Sequence, residues 1–365
     1  MSRSTWTSGL FLAFVLPFSL TVQAQSLVVS GVLESSAMRV LNPKHAVFTG
    51  VTRAGERLVA VGERGLILLS DDNGQQWRQA SVPVSVGLTA VEFVDTQHGW
   101  AVGHSGVVLA SRDGGESWKL QMDGLRAARL ELESAEAALN SAVDVDAAQV
   151  RVDAAQRLVE DGADKPFLNL HFTDAEHGMV IGAYGMALRT ADGGRSWQSQ
   201  VGQIDNPMGL HLYAVARQGN DWYLAGEQGF LAHSSDAGQH FQQLESPYEG
   251  SFFTLLARQD GSLLLGGLKG NAFLLHDAGN LIEPLKVTMP VSLSDAVTLS
   301  DGRALLANQA GAVFALDAVG THLQMLVPPQ GKPLAALTQA ADGSLVVAGF
   351  TGIANLPLSG AKVSE

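Results

Sequence analysis

Val102-Gly103-His104-Ser105-Gly106-Val107-Val108-Leu109-Ala110-Ser111-Arg112-Asp113-Gly114-Gly115-Glu116-Ser117-Trp118 is the stretch that decides the fold. One apolar run enters a Gly-x-x-Gly turn and a second leaves it. Seven residues past the second glycine an Asp stands in a tight turn that ends on a Trp. With Leu88 to Val94 upstream, the segments 88–94, 99–102, 107–110 and 117–120 read as four short antiparallel strands.

The pattern recurs along the chain. The second glycines of the turns are Gly65, Gly106, Gly185, Gly229, Gly270, Gly311 and Gly352, spaced 41, 79, 44, 41, 41 and 41 residues apart. Four strands per unit, repeated at about 40 residues, is the sequence form of a β-propeller. Seven copies predict an all-β, seven-bladed β-propeller. The second half of each unit, a Ser/Thr-x-Asp-x-Gly-x-x-Trp box, is present around Asp72 with Trp77, Asp113 with Trp118, Asp192 with Trp197, and Asp236 with Phe241. Asp277 keeps the turn in the fifth repeat, the sixth has only a displaced Asp317, and the seventh has none. A carboxylate that accepts its own turn's N–H groups, followed by a glycine at positive φ, locks a hairpin. These aspartates are therefore assigned a structural role. The last repeat lacks a fourth strand, and Ser26-Leu27-Val28-Val29 stands ahead of the first; this N-terminal strand is expected to complete the last blade and remove an exposed edge.

Composition agrees with that architecture and narrows the function. Only 16% of the 365 residues are charged and 40 are glycine, which suits short strands and tight turns. Net charge is −13, so nucleic acid and anionic lipid are disfavoured as partners. With no Cys there are no disulfides, Cys-ligated metals, thiol nucleophiles or lipid-modified N-terminal cysteine, and no metal or other cofactor is expected. Residues 1–24 combine Arg3, an apolar run from Leu10 to Leu20 and Val22-Gln23-Ala24, the form of a cleaved signal peptide. The expected mature chain, 25–365, is exported and periplasmic, with a thylakoid lumen as the alternative compartment and no membrane insertion after cleavage. Its oligomeric state is not written in the sequence.

The one doubled spacing holds 124–162, where Ala, Leu, Glu, Arg and Gln take over. Leu125, Ala128, Leu132, Ala135, Leu139 and Ala142 follow a helical stripe, and Ala148, Val152, Ala155 and Val159 form a second. Asp144 or Asp146 can cap the second helix. The reading is a helical hairpin inserted between blades two and three. It emerges on the face of the Gly-x-x-Gly turns, opposite the Asp boxes.

The repeat resembles the BNR or Asp-box repeat. From roughly 45 to 358 the chain most resembles the photosystem II stability and assembly factor family of seven-bladed propellers and its relatives in non-photosynthetic bacteria. The resemblance implies an exported, non-enzymatic interaction protein. Photosynthetic members are lumenal and assist insertion of a reaction-centre subunit; the bacterial relatives are implied to be periplasmic accessories, some of them to transporters of the resistance–nodulation–division superfamily. The helical insertion and the acidic balance without an arginine cluster set this chain apart from the photosynthetic pattern. The main expectation is accordingly an assembly or interaction factor of the bacterial envelope, partnered by a membrane transporter or other membrane complex. A photosystem II assembly factor is the alternative.

Sialidases also carry Asp boxes, so a glycosidase or a carbohydrate-binding propeller is weighed beside it. Tyrosine occurs only at 184, 213, 223 and 248, and no Phe-Arg-Ile-Pro segment or arginine clamp is evident. A carboxylate pair for acid–base hydrolysis could be drawn from Glu63 and Glu227 on the turn face. No catalytic residue is assigned. The interaction candidates are the turn residues Glu63, Arg64, His104, Tyr184, Glu227, Gln228, Lys269, Gln309 and Phe350, whose side chains vary while the flanking glycines recur.

Overall fold

The computed structural model describes Met1 and residues 31–316 and 323–356. The compact unit Gly31–Glu365 holds seven sheets. The first contains β1 (Phe48–Ala54), β2 (Arg57–Gly62), β3 (Ile67–Ser70) and β4 (Arg78–Gln79), and the second β5 (Leu88–Phe93), β6 (Gly99–Gly103), β7 (Val108–Ser111) and β8 (Lys119–Met122). Helices α1 (Gly124–Leu139) and α2 (Val145–Asp161) come next in the chain. The third sheet is β9 (Phe167–Phe172), β10 (Gly178–Gly182), β11 (Ala187–Thr190) and β12 (Gln198–Ser199). The fourth is β13 (Leu212–Gln218), β14 (Asp221–Gly226), β15 (Leu231–Ser234) and β16 (Gln242–Gln243). The fifth is β17 (Phe252–Ala257), β18 (Leu263–Gly267), β19 (Ala272–His276) and β20 (Leu281–Leu285). The sixth is β21 (Leu293–Thr298), β22 (Ala304–Asn308), β23 (Val313–Leu316) and β24 (Leu323–Val327). The seventh has three strands among the described residues, β25 (Leu334–Gln339), β26 (Leu345–Gly349) and β27 (Gly352–Leu356).

Within every sheet sequential strands pair antiparallel, so each sheet is a meander. The first strands are neighbours in succession, and the last of them, β25, packs beside β1. Phe48, Leu58 and Leu68 of the first sheet share one apolar cluster with Ala336, Val346 and Ile353 of the seventh. Residues from all seven first strands line a central channel of about 380 Å³. The second strands, such as Gly99–Gly103 and Gly178–Gly182, are buried along their whole length. They lie between neighbouring sheets on both faces, which is why they read as unbroken apolar runs rather than as alternating ones. The expected signal peptide and the strand at 26–29 lie outside the described residues, as does Asp317.

The Asp boxes tie down one end of the sheets. In the second sheet Ser111 Oγ donates to Asp113 Oδ1 at 2.8 Å, Gly115 N donates to Ser111 Oγ at 2.9 Å, and Ser117 N donates to Asp113 Oδ1 at 3.0 Å. Trp118 Nε1 then reaches back to Gly115 O at 2.9 Å, and its ring meets Phe93 edge-on in the interface with the first sheet. This closure delays β8 to Lys119, two residues past the expected strand start. The hydroxyl and main-chain bonds to the carboxylate recur around Asp72, Asp192 and Asp236, and the indole bond recurs at Trp77 but not at Trp197. Hydrogen bonds from Ser196 and Thr190 hold the Asp192 carboxyl down at about 2, and the His240 amide with Ser234 holds Asp236 well below the usual carboxylate range. Asp277 departs from the pattern. Its turn is closed by its main-chain carbonyl, which accepts from Asn280 N and Nδ2, because Leu275 stands where the other boxes have a hydroxyl.

Asp123 caps α1 by accepting from Arg126 N at 3.0 Å, and Asp144, rather than Asp146, caps α2 by accepting from Ala147 N at 3.0 Å. The start of α1 sits against a glycine turn, since a Cβ on Gly106 would collide with Gly124. The body of α1 then packs on β12 and the turn 201–203 of the third sheet. Glu131, only 2% exposed, makes that contact: it pairs with Arg151 at 2.9 Å and accepts from Ser199 Oγ. The helices thus rest on the outside of the third sheet instead of standing free above the turns.

Candidate partner-binding face

The ends of the sheets opposite the Asp boxes carry the Gly-x-x-Gly turns. In five sheets the second x residue sits in the left-handed region: Arg64, Ser105, Tyr184, Gln228 and Lys269 have φ between 52° and 57°. The second glycine follows at positive φ, 70° at Gly185. The first glycine has a different reason. Gly182 is extended, but a Cβ there would run into the carbonyl of Pro166 at the entry to β9, and Gly62, Gly103 and Gly226 meet the equivalent carbonyls of Val47, Gly87 and His211. The sixth sheet has Asn308 instead, fully buried, with its side-chain carbonyl accepting from Ala310 N and Ala312 N. Close backbone approach therefore imposes the first glycine, and the apex residue between the glycines remains available to solvent.

Glu63, Arg64, His104, Tyr184, Gln228, Lys269, Gln309 and Phe350 are exposed, and Glu227 is partly buried. They stand on seven different turns, one on each sheet, rather than in one patch. Two of them are already engaged. Glu63 Oε1 accepts from Val47 N at 3.2 Å and Glu227 Oε2 from His211 N at 3.2 Å, so each fastens the entry to a first strand. On the first and fourth of seven sheets, and each occupied with its own backbone, they make no acid–base pair.

Sequence reasoning missed the residues that gather around Tyr184. The turn apex, the entry to β13 and two successive first strands put four rings in a row. Tyr184 lies 4.9 Å from His211, His211 lies 6.2 Å from Tyr213, and Tyr213 lies 5.4 Å from Phe253, centroid to centroid. Lys165 Nζ sits 5.0 Å from the Tyr184 ring centroid, held by Asp161 at 3.0 Å and Asp164 at 2.5 Å. The row starts at Tyr184, 55% exposed, and runs down to Tyr213 and Phe253, which line the channel. Burial, with the Glu227 charge nearby, raises the Tyr213 phenol above its ordinary value. The positions equivalent to Tyr213 are Thr49, Thr89, Leu168, Phe253, Ser294 and Ala335, so the channel mouth is bulky on sheets three to five and open on the others. Phe350, also 55% exposed, stands on the seventh sheet beside that open side. Among the described residues no group of His, Asp or Glu is placed to hold a metal, and no helix is long and apolar enough to cross a membrane.

Seven meandering sheets, the first four pinned by Asp boxes at one end and all bearing variable turns at the other, define a β-propeller of the Asp-box repeat class. Residues 69–150 and 148–249 match the family described as photosynthesis system II assembly factor YCF48, and the chain belongs to the Ycf48-like BNR-repeat propellers. It is 32% identical over 77 residues to the photosystem II assembly lipoprotein Ycf48 of Synechococcus sp. (strain CC9902). That match spans 21% of this chain and 23% of the relative, about a quarter of its length. The solved structure of YCF48 bound to D1 peptide has the same fold at a TM-score of 0.62 and 16% identity, covering 85% of this chain and 93% of that one. YCF48 from Cyanidioschyzon merolae follows at 0.61 and 14%, covering 87% and 97%.

These relationships overturn the expectation of a transporter accessory, and with it a transporter complex as the partner. The repeats match a family of photosystem II assembly factors, and a related propeller carries a D1 peptide. The acidic balance and the helical insertion, read in the sequence as arguments against a photosystem client, do not separate this chain from that family.

Proposed function

We propose that this chain is a non-enzymatic assembly factor of the Ycf48 kind, which holds an extended segment of a photosystem II subunit on its glycine-turn face. The observation that carries the reading is the row of rings from Tyr184 to Phe253, a graded apolar path from an exposed turn to the channel mouth. Aromatic side chains with one end wet and one end buried are frequent anchors of protein interfaces. A peptide laid across the mouth would place side chains against Tyr213 and Phe253 and meet Tyr184 on one side and Phe350 on the other. The other turn residues, Arg64, His104, Gln228, Lys269 and Gln309, would form the polar rim. The helices, inserted between blades two and three, would widen the face beside Tyr184. Export from the cytoplasm fits this role, as does the absence of a membrane-crossing helix among the described residues.

The test is fluorescence anisotropy with a labelled D1 peptide. Wild-type protein is expected to bind it, and Tyr184→Ala and Phe350→Ala are each expected to weaken binding about 10-fold, the effect of losing one interface anchor worth 1 to 2 kcal/mol. Undiminished binding by both variants would refute this face as the site.

A further inference from the structure

Tyr184 is held by a hydrogen bond whose acceptor can be protonated. The Tyr184 backbone N–H donates to His211 Nδ1 at 3.1 Å, across the seam between the third and fourth sheets. An imidazole accepts at Nδ1 only when it is neutral with its proton on Nε2. The same Nδ1 lies 3.6 Å from Glu227 Oε2, and Glu227 already accepts from His211 N. One ring nitrogen therefore faces a donor on one side and a carboxylate on the other, and only one of the two can be its partner in a given charge state.

We propose that His211 is a proton-sensitive latch on the client-binding face: neutral, it holds the Tyr184 turn in place; protonated, it turns to Glu227 and releases it. The proton on Nδ1 would point at the Tyr184 N–H, two donors face to face, while the Glu227 carboxylate offers a charge-assisted bond at little cost in ring movement. Tyr184 is the residue to feel this. Its φ of 57° belongs to a conformation that a bulky side chain keeps only when its surroundings hold it there, and its backbone N–H is one of those holds. The other groups facing the latch are Lys165 over the Tyr184 ring, itself neutralised by Asp161 and Asp164, and the Tyr213 hydroxyl on β13, which His211 immediately precedes. Glu227 is thus the one anionic partner within reach of the imidazole among the described residues. The device rests on the proposed client-binding reading, because what it regulates is the placement of one of that face's two exposed anchor rings.

The experiment has two arms, so that failure of the latch and failure of the client-binding reading can be told apart. In the first, amide NMR follows Tyr184 from about pH 5 to about pH 8, the interval over which an imidazole changes charge. The Tyr184 amide resonance should move with the midpoint of the His211 ring. It should stay still in His211→Asn, whose side-chain oxygen replaces Nδ1 as an acceptor that does not titrate. Glu227→Gln should shrink the pH-dependent movement of the Tyr184 resonance, because the protonated ring then has no carboxylate to turn to, and this variant carries the test if His211→Asn does not fold. A Tyr184 resonance that is flat through the His211 titration, or that moves as far in Glu227→Gln as in wild type, overturns the latch whatever the peptide does. In the second arm, labelled D1 peptide should bind wild type about 2- to 10-fold more weakly at the acid end, the worth of one neutral hydrogen bond, and equally at both ends in His211→Asn. Peptide binding that is independent of pH while the resonance titrates also overturns the regulatory role. No peptide binding at any pH refutes the client-binding reading and leaves the first arm to decide the latch.

Discussion

Asp295→Asn should abolish most of the pH dependence of stability between about pH 4 and pH 7. Asp295 lies on β21 at the channel wall, with Oδ1 accepting from Ala296 N at 2.8 Å and Oδ2 from Leu337 N at 2.9 Å on the neighbouring first strand β25. Burial outweighs these two donors and pushes its carboxyl up to about 7. The unfolded chain has the ordinary aspartate value of about 4, so between the two values the folded state holds a proton that the unfolded state does not. Stability therefore falls as pH rises through this interval and levels off above about 7. Three units at 1.36 kcal/mol per unit set the effect at up to about 4 kcal/mol, an upper bound because water in the channel relaxes the penalty. Urea unfolding at half-unit steps of pH measures the slope. The variant loses one of its two acceptors, so Leu337 N–H is orphaned at a cost of about 1–3 kcal/mol and the whole curve drops. What distinguishes the reasoning is the slope. A wild-type protein equally stable at pH 4.5 and 7, or a slope retained in Asp295→Asn, would refute the buried-carboxyl account.

Three other changes probe the rest of the structure. Asp113→Ala removes the acceptor of Ser111 Oγ and Ser117 N and should lower unfolding free energy by about 1–2 kcal/mol with no change in peptide affinity, measured by urea titration beside anisotropy. Glu131→Ala strands Arg151 against the third sheet and should cost about 3–5 kcal/mol, while Glu131→Leu with Arg151→Met should recover most of it; equal losses in both would contradict a buried pair. Gly182→Ala drives a Cβ at the Pro166 carbonyl and should cost about 1–3 kcal/mol and weaken peptide binding by displacing Tyr184, whereas Gly219→Ala, at positive φ with open space around it, should cost about 1 kcal/mol and leave binding intact.

The blades were legible because the same physical demands recur in each of them. The first glycine of each turn answers a colliding carbonyl and the second a positive φ, and the Asp, hydroxyl and Trp of the box answer one another within eight residues. Such local constraints leave a spaced signature in any single sequence. Even the exception at Asn308 follows the rule, since its side chain satisfies the two N–H groups of its own turn. His211, Tyr213, Phe253 and Asp295 left no such signature. The strand position of Tyr213 and Phe253 holds Thr, Leu, Ser or Ala in the other sheets, the strand entry at His211 and the position of Asp295 vary likewise, and nothing local demands any of them. Only the ring brings Tyr184 to His211, 27 residues on. The partner was misjudged for a related reason. Net charge is a property of the whole surface, whereas a binding face is a local selection from it, and the acid excess says little about the turns around one channel mouth.

The two ends of the sheets show how one repeat supports both stability and recognition. At the Asp-box end the carboxylate is spent on its own hairpin: in the second box Asp113 takes the Ser111 and Ser117 hydroxyls together with the Ser117 amide. Substitution there breaks several bonds at once, so that end has little freedom to vary. At the glycine-turn end the backbone fastens itself to the entry of the first strand, as Ala183 N does to Pro166 O at 3.0 Å, and the apex side chain makes no contribution to the turn's closure. Arg64, Ser105, Tyr184, Gln228 and Lys269 can therefore occupy the same geometry, φ 52–57°, at similar backbone cost. A residue that is free in this way but tied to a titratable neighbour, as Tyr184 alone among these five is tied to a histidine nitrogen, is doing something the turn itself does not require.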